Sequence, residues 1–288
     1  MITKKWFIKK ISQFLRDDLS NRLHLLDSSK IFDPNPLVGI ANGDDNIYKE
    51  YKKVIGEFHL TPKEAIEKFC LEKDKKLLNK HLSVVAYILP FHEKTKKENA
   101  KAVKMPSRRW AHSRLFGEKV NVKIQSYLVD ELSNLGILAC APAAHLEIFD
   151  VNREIWASNW SQRHQCFAAG LGSFGLSDGF INSRGKAMRC GSIIVNMKLI
   201  SDKKKRPKNP YEYCTFCGQC IERCPVDSIS FKDKHNKSIC AEHVYGTTDF
   251  IQNNYGIDMY TCGLCQVGVE CSNGIPEKKS TSSHPSRL

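Results

Sequence analysis

The sequence predicts an α+β protein: a mixed helix–strand domain over residues 1–200, a compact cysteine-rich module over 201–276, and a flexible tail over 277–288. Three features carry this reading. Short apolar runs of strand length alternate with amphipathic stretches at helical spacing in the first two-thirds of the chain. The segment "SDKKKRPKNP" (201–210), charged and bearing two prolines, reads as a linker. Beyond it the composition changes, and eight of the twelve cysteines lie between 214 and 271.

In chain order, Phe7, Ile11 and Phe14 or Leu15 recur among charges at helical spacing, so the N-terminus reads as an amphipathic helix. "TPKEAIEKFCLEK" opens with Thr61 as N-cap, Pro62 at the first helical position and Glu64 completing a capping box. "SVVAYIL" (83–89), "GILACA" (136–141) and "GSIIVNM" (191–197) read as mostly buried strands. Between the first two, "KVNVKIQSYLVDELSNLG" reads as an amphipathic helix ending near Gly136. Further on, "NWSQRHQCFAA" (159–169) reads as a helix stopped by Gly170, followed by a turn, a short strand, an "SRGK" turn and another strand.

Composition bounds the function. At 288 residues and 41% hydrophobic, the chain can bury one substantial core and a smaller satellite. Its longest apolar run, "LSVVAYILPF" (82–91), falls short of the roughly 20 residues of a membrane span. The N-terminal stretch has neither the unbroken apolar segment of a secretory signal nor a twin-arginine pair, so a cytoplasmic protein is expected. In such a reducing compartment twelve cysteines point first to metal ligation rather than disulfides.

The net charge of +13 leaves three readings open. Between Lys94 and Arg114 stand eight Lys or Arg and one Glu, with Trp110 among them. This run could grip a phosphate backbone and stack on bases, steer an acidic partner protein, or be a solvated flexible loop.

"CTFCGQCIERCP" is C-x2-C-x2-C-x3-C-P, formed by Cys214, Cys217, Cys220, Cys224 and Pro225. Three thiolates two residues apart let a tight loop wrap three corners of a [4Fe–4S] cube, while the fourth points to a different cluster. Zinc would use CxxC pairs separated by a long spacer. A second set of ligands is therefore needed, and Cys240, Cys262, Cys265 and Cys271 supply it. By the ligand exchange of two-cluster ferredoxins, the first cluster takes Cys214, Cys217, Cys220 and Cys271. The second takes Cys224, Cys240, Cys262 and Cys265. Cys70, Cys140, Cys166 and Cys190 remain as small core residues. Two clusters in series imply an electron acceptor in the first domain.

"GLGSFG" (170–175) has the letters of a dinucleotide-binding turn. No strand feeds these glycines, however, and no acidic residue stands about 20 positions later. They read either as a helix stop or as a place where backbone passes close to another large ligand.

Taken together, "AAGLGSFGLSDGFIN", "YCTFCGQCIERCP", Cys240 and "CGLCQ" resemble the epoxyqueuosine reductase and corrinoid reductive dehalogenase group over roughly residues 136–276. The resemblance implies a nitroreductase-like α/β cofactor domain that binds cobalamin, followed by a bacterial two-cluster ferredoxin domain. It implies electron flow through the clusters to cobalt, and reductive cleavage of a small molecule or a modified base. Gly170, Gly172, Ser173, Phe174, Gly175 and Ser177 would lie against the corrin or its tail. The group's D-S-x-P-x-x-E-R element is matched by "WASNWSQR", with Trp156 at its Asp position, Gln162 at its Glu and Arg163 retained. His164 is then the candidate proton donor, with Arg163 or Arg189 stabilising a developing anion. The group's C-terminal helical repeats do not follow, so the favoured partners are a small-molecule substrate and a low-potential donor such as flavodoxin or ferredoxin, rather than tRNA. The alternative function is a ferredoxin-type electron-transfer protein whose first domain is a cofactor-free docking module, and a flavin in place of cobalamin is a variant of the reductase.

Overall fold

A computed structural model describes residues 1–277, so apart from Glu277 the expected tail lies outside the described residues. The chain is α+β. Helix α1 (Lys4–Asp17) buries Phe7, Ile11 and Leu15, the stripe its spacing predicts. There follow β1 (Leu37–Asn42), α2 (Ile47–Ile55) and α3 (Pro62–Glu72). Helix α3 begins on the complete Thr61–Glu64 capping box with Pro62 in its first turn. Next come β2 (Ser83–Pro90), α4 (Glu93–Lys101), α5 (Arg108–Ser133) and β3 (Ala139–Cys140). A small hairpin of β4 (Val151–Asn152) and β5 (Ala157–Ser158) leads to α6 (Gln162–Ala168). A second hairpin, β6 (Ser173–Phe174) and β7 (Phe180–Ile181), leads to β8 (Met188–Val195).

The main sheet has the order β1-β2-β8-β3, with every neighbouring pair antiparallel. Strand β2 is buried along its whole length and pairs with β8 from Ser83↔Val195 to Pro90↔Met188. Because side chains alternate along a strand, its two faces feed two cores. Val85, Tyr87 and Leu89 pack with residues of α1 and α5, while Val84, Ala86 and Ile88 pack with residues of α2, α3 and α6. The result is an antiparallel sheet with helices on both sides. Cys70, Cys140, Cys166 and Cys190 lie in the second core, as expected of small apolar residues.

The structure corrects one reading of the basic run and part of another. It is helical rather than a flexible loop, because Ser107 caps α5 through its hydroxyl and the helix starts well before the amphipathic pattern. Trp110 is 3% exposed and cannot stack on bases. Its indole N–H donates to Thr261 Oγ1 at 3.2 Å, and a side chain at Gly263 would collide with its ring. Arg109 is buried between Asp27 and Glu98. The run therefore serves as a seat for the cysteine-rich module.

That module contains α7 (Gln219–Glu222), the β9 (Ile229–Ser230) and β10 (Lys234–His235) hairpin, α8 (Lys237–Gly246) and α9 (Thr248–Tyr255). Arg223 fastens it by donating to the carbonyls of Asn99 and Ala102 at the end of α4. The 201–210 segment is pinned rather than loose. Asp202 pairs with Lys4 at 2.8 Å, and Arg206 reaches Asp45 and the Ala168 carbonyl, in each case at 2.8–2.9 Å.

Candidate functional site

The glycine element closes α6. Gly170 takes φ +71°, its N–H donates to the Phe167 carbonyl, and the Leu171 N–H donates to Cys166. These two bonds form a Schellman stop. Past the stop, the chain packs against itself. A Cβ on Gly172 would lie 2.2 Å from the Ile181 carbonyl oxygen, and one on Gly170 would meet the backbone of 202–206 at 3.0 Å. At Gly170 and Gly172 the missing side chain makes room for the chain's own backbone.

The hairpin that follows walls three spaces. Phe174 faces a large cleft, Gly175 faces a first ring of cysteines, and Ser177 faces a second ring. Ser173 is fully buried and accepts a bond from the Tyr213 N–H, which ties the hairpin to the cysteine-rich module.

Cys214, Cys217, Cys220 and Cys271 surround the first space, which is closed down to about 20 Å³ with exposed Cys217 at its edge. Cys224, Cys240, Cys262 and Cys265 line the second, of about 260 Å³. Among the described residues, no three His, Cys, Asp or Glu side chains converge closely enough for a single metal ion. Thiols spread around a space suit a cube with one ligand per corner better than one tetrahedral ion at Zn–S distances of about 2.3 Å. Burial pushes the thiols of Cys220 and Cys240 up to about 11 and that of Cys262 up to about 12. They hold their protons until a metal displaces them, so loading releases protons. The Ser228 N–H points at Cys224 Sγ from 3.3 Å, a bond suited to a ligating sulfur.

The cleft holds about 820 Å³, near the upper end of the roughly 300–1,000 Å³ usual for ligand cavities. Its aromatic walls are Tyr51, Trp156, Phe167, Phe174 and Tyr211, and its polar groups include Arg163, Asp178 and Lys237. Trp156 sits on the β4–β5 hairpin with φ +52°, a costly conformation for a bulky side chain and one that clusters at functional sites. Its ring lies 5.5 Å from that of Tyr245.

The three expected catalytic residues separate. Arg163 borders both the cleft and the second ring, and its guanidinium donates to the Asp178 carbonyl. Arg189 lines the second ring rather than the cleft and pairs with Glu118. His164 lines the cleft, but burial, with Arg163 and His59 nearby, holds its imidazole down to about 3. At pH 7 that leaves the ring neutral. Asp178, Tyr211 and Lys237 were not singled out from sequence. Asp178 stands beside His235 at 3.1 Å, and although burial works the other way, that bond and Arg163 keep its carboxyl below the usual range. Burial, then Asp178 and Cys214, raise the Tyr211 phenol above its ordinary value. No sequence pattern marks these residues, because the fold gathers them from separate segments.

Residues 210–230 match the family model of the 4Fe-4S binding domain. A search of curated proteins found no match. Solved structures of epoxyqueuosine reductase show a loose likeness of chain course. One, from Bacillus subtilis, has 17% identity and a TM-score of 0.46 over 84% of this chain and 62% of its own. Another, labelled with selenomethionine, has 14% identity and a TM-score of 0.47 over 84% and 66%. This chain thus spans less than two-thirds of the length of either. Among the described residues, no helix is long and apolar enough to cross a membrane.

Proposed function

We propose that this chain is an iron–sulfur reductase with a corrinoid in its cleft, divided as the sequence suggests into a cofactor domain (1–200) and a ligand-bearing module (201–276). Cys214, Cys217, Cys220 and Cys271 would hold one [4Fe–4S] cluster, and Cys224, Cys240, Cys262 and Cys265 a second. The observation that carries this reading is the shared hairpin: residues 173–181 border both cysteine rings and the wall of the cleft. Bound clusters would supply one-electron carriers, and a corrinoid would supply a cobalt centre able to cleave a substrate bond reductively.

The residues of the chain divide the remaining work. Phe167, Phe174 and Trp156 exclude water from the cleft and offer flat apolar contact to a macrocycle. Arg163 places positive charge where the cleft meets the second ring, suited to an anion developing there. Tyr211 keeps its phenolic proton at neutral pH and takes the donor role that Trp156 and neutral His164 cannot fill. Exposed Cys217 marks the edge at which a low-potential flavodoxin or ferredoxin would deliver electrons. A small molecule, rather than tRNA, is the substrate this reading favours.

The test is anaerobic reconstitution followed by titration with cobalamin under reducing conditions. About eight iron atoms per chain, a shifted corrinoid spectrum and an EPR signal of protein-bound Co(II) are expected, with weaker corrinoid binding in Phe174→Ala. Binding of FMN instead would replace the corrinoid by a flavin. Failure of both to bind would leave an electron-transfer protein with a docking domain.

A further inference from the structure

Lys186 lies in the "SRGK" turn between β7 and β8 and is 2% exposed. Its backbone is locked to the chain around Cys271. The Lys186 N–H donates to the Cys271 carbonyl at 3.0 Å, and a Cβ on neighbouring Gly185 would overlap the Ser272 carbonyl. Its aliphatic stem lies against Gly179, where an added Cβ would come within 3.1 Å of Cδ. Its ammonium donates to Ser177 Oγ at 3.2 Å, and Ser177 lines the second ring while Lys186 itself lines the first.

An isolated buried ammonium costs several kcal/mol unless a counter-charge repays the lost hydration. With clusters bound as proposed, thiolate and sulfide sulfur would supply that counter-charge. Lys186 lines the first ring together with Cys220 and Cys271, and its ammonium reaches the Ser177 hydroxyl, which lines the second ring together with Cys265. The turn therefore delivers one cation to the seam between two sets of four thiols.

Resting on the two-cluster reading, we infer that Lys186 is a fixed positive charge shared by both cysteine rings, placed to raise the reduction potential of the cluster in each. One-electron reduction adds one negative charge to a cluster without making or breaking a bond, and a nearby cation favours the reduced state. Net charge is among the factors that set such potentials. Ser177 and Gly179 hold the side chain in place. The role belongs to the charge, so arginine should preserve it and an uncharged side chain of similar length should not.

The experiment is an EPR-monitored redox titration of reconstituted wild type, Lys186→Met and Lys186→Arg, with iron counted in each sample. Lys186→Met should lower the reduction equilibrium constant of both clusters at least tenfold, which is about 59 mV for a one-electron couple, while Lys186→Arg stays near wild type. Loss of iron in Lys186→Met but not in Lys186→Arg would overturn the inference in favour of a charge that only holds the clusters in place. Unmoved potentials in Lys186→Met, or equal loss of iron in both variants, would overturn it. A wild type holding one cluster would overturn the two-cluster reading and this inference with it.

Discussion

Gly172→Ala is the sharpest perturbation of the hairpin that joins the three spaces. The new methyl carbon would sit 2.2 Å from the Ile181 carbonyl oxygen and 2.8 Å from the Phe180 ring. Relief requires a movement of about 1 Å, because overpacked groups yield by shifting backbone. The β6–β7 ladder has two paired positions, Ser173↔Ile181 and Phe174↔Phe180, so a shift of that size opens it. Overpacking costs about 1–3 kcal/mol, and each lost ladder bond about 0.5–1.5 kcal/mol. With two such bonds lost the sum is roughly 2–6 kcal/mol, or a melting point lower by roughly 5 °C or more. Gly175→Ala is the control: its methyl meets the end of the Ile181 side chain at 3.1 Å, a group that can turn aside. The assay is thermal denaturation followed by circular dichroism, with iron counted on the same anaerobic samples. Gly172→Ala should melt early and lose iron from both rings, while Gly175→Ala should stay within about 1.5 kcal/mol of wild type. If Gly172→Ala melts like wild type, keeps its iron and loses only a cleft ligand, the glycine serves a ligand's approach and the packing argument fails.

Cys271→Ser should reduce iron from about eight to about four atoms per chain, whereas Cys190→Ser, in the second core, should leave it unchanged; full retention in Cys271→Ser would remove that residue from the ligand set. Acid should destabilise the fold through two histidines: burial, with Lys52 nearby, holds His59 down to about 4, and burial, with Arg163 and His59, holds His164 down to about 3. Between pH 6.5 and about 4 the unfolded chain binds protons that the folded chain refuses, so stability is full above pH 7.5 and falls as the pH drops through this window. At pH 5 each histidine should cost about 2 kcal/mol, read as an earlier urea midpoint. Ring signals of either histidine titrating near pH 6.5 in the folded protein would refute this.

Much of the fold is legible because local chemistry states it outright. Thr61 and Glu64 announce a helix start, Gly170 a helix stop, and the run 83–89 a buried central strand. The cysteine spacing likewise anticipates which four side chains gather at each ring. The start of α5 is hidden because what holds Arg109 and Trp110 in a helix lies elsewhere in the chain, at Asp27, Glu98, Thr261 and Gly263. The glycines are only half legible for a related reason: a small residue signals close approach, and the sequence does not say what approaches. The cleft is hardest to read, since Tyr51, Trp156, Asp178, Tyr211 and Lys237 come from five separate segments with no shared period.

The return of Cys271 to the "SRGK" turn also sets an order of assembly. As the chain leaves the ribosome, the ring of Cys224, Cys240, Cys262 and Cys265 is complete once residue 265 has emerged. The other ring, though it begins first at Cys214, waits for Cys271 to fold back against Gly185 and Lys186. A chain ending at residue 265 would thus carry every cysteine of one ring while the other still lacked Cys271. If the rings hold clusters as proposed, the one that needs Cys271 would be the later to close.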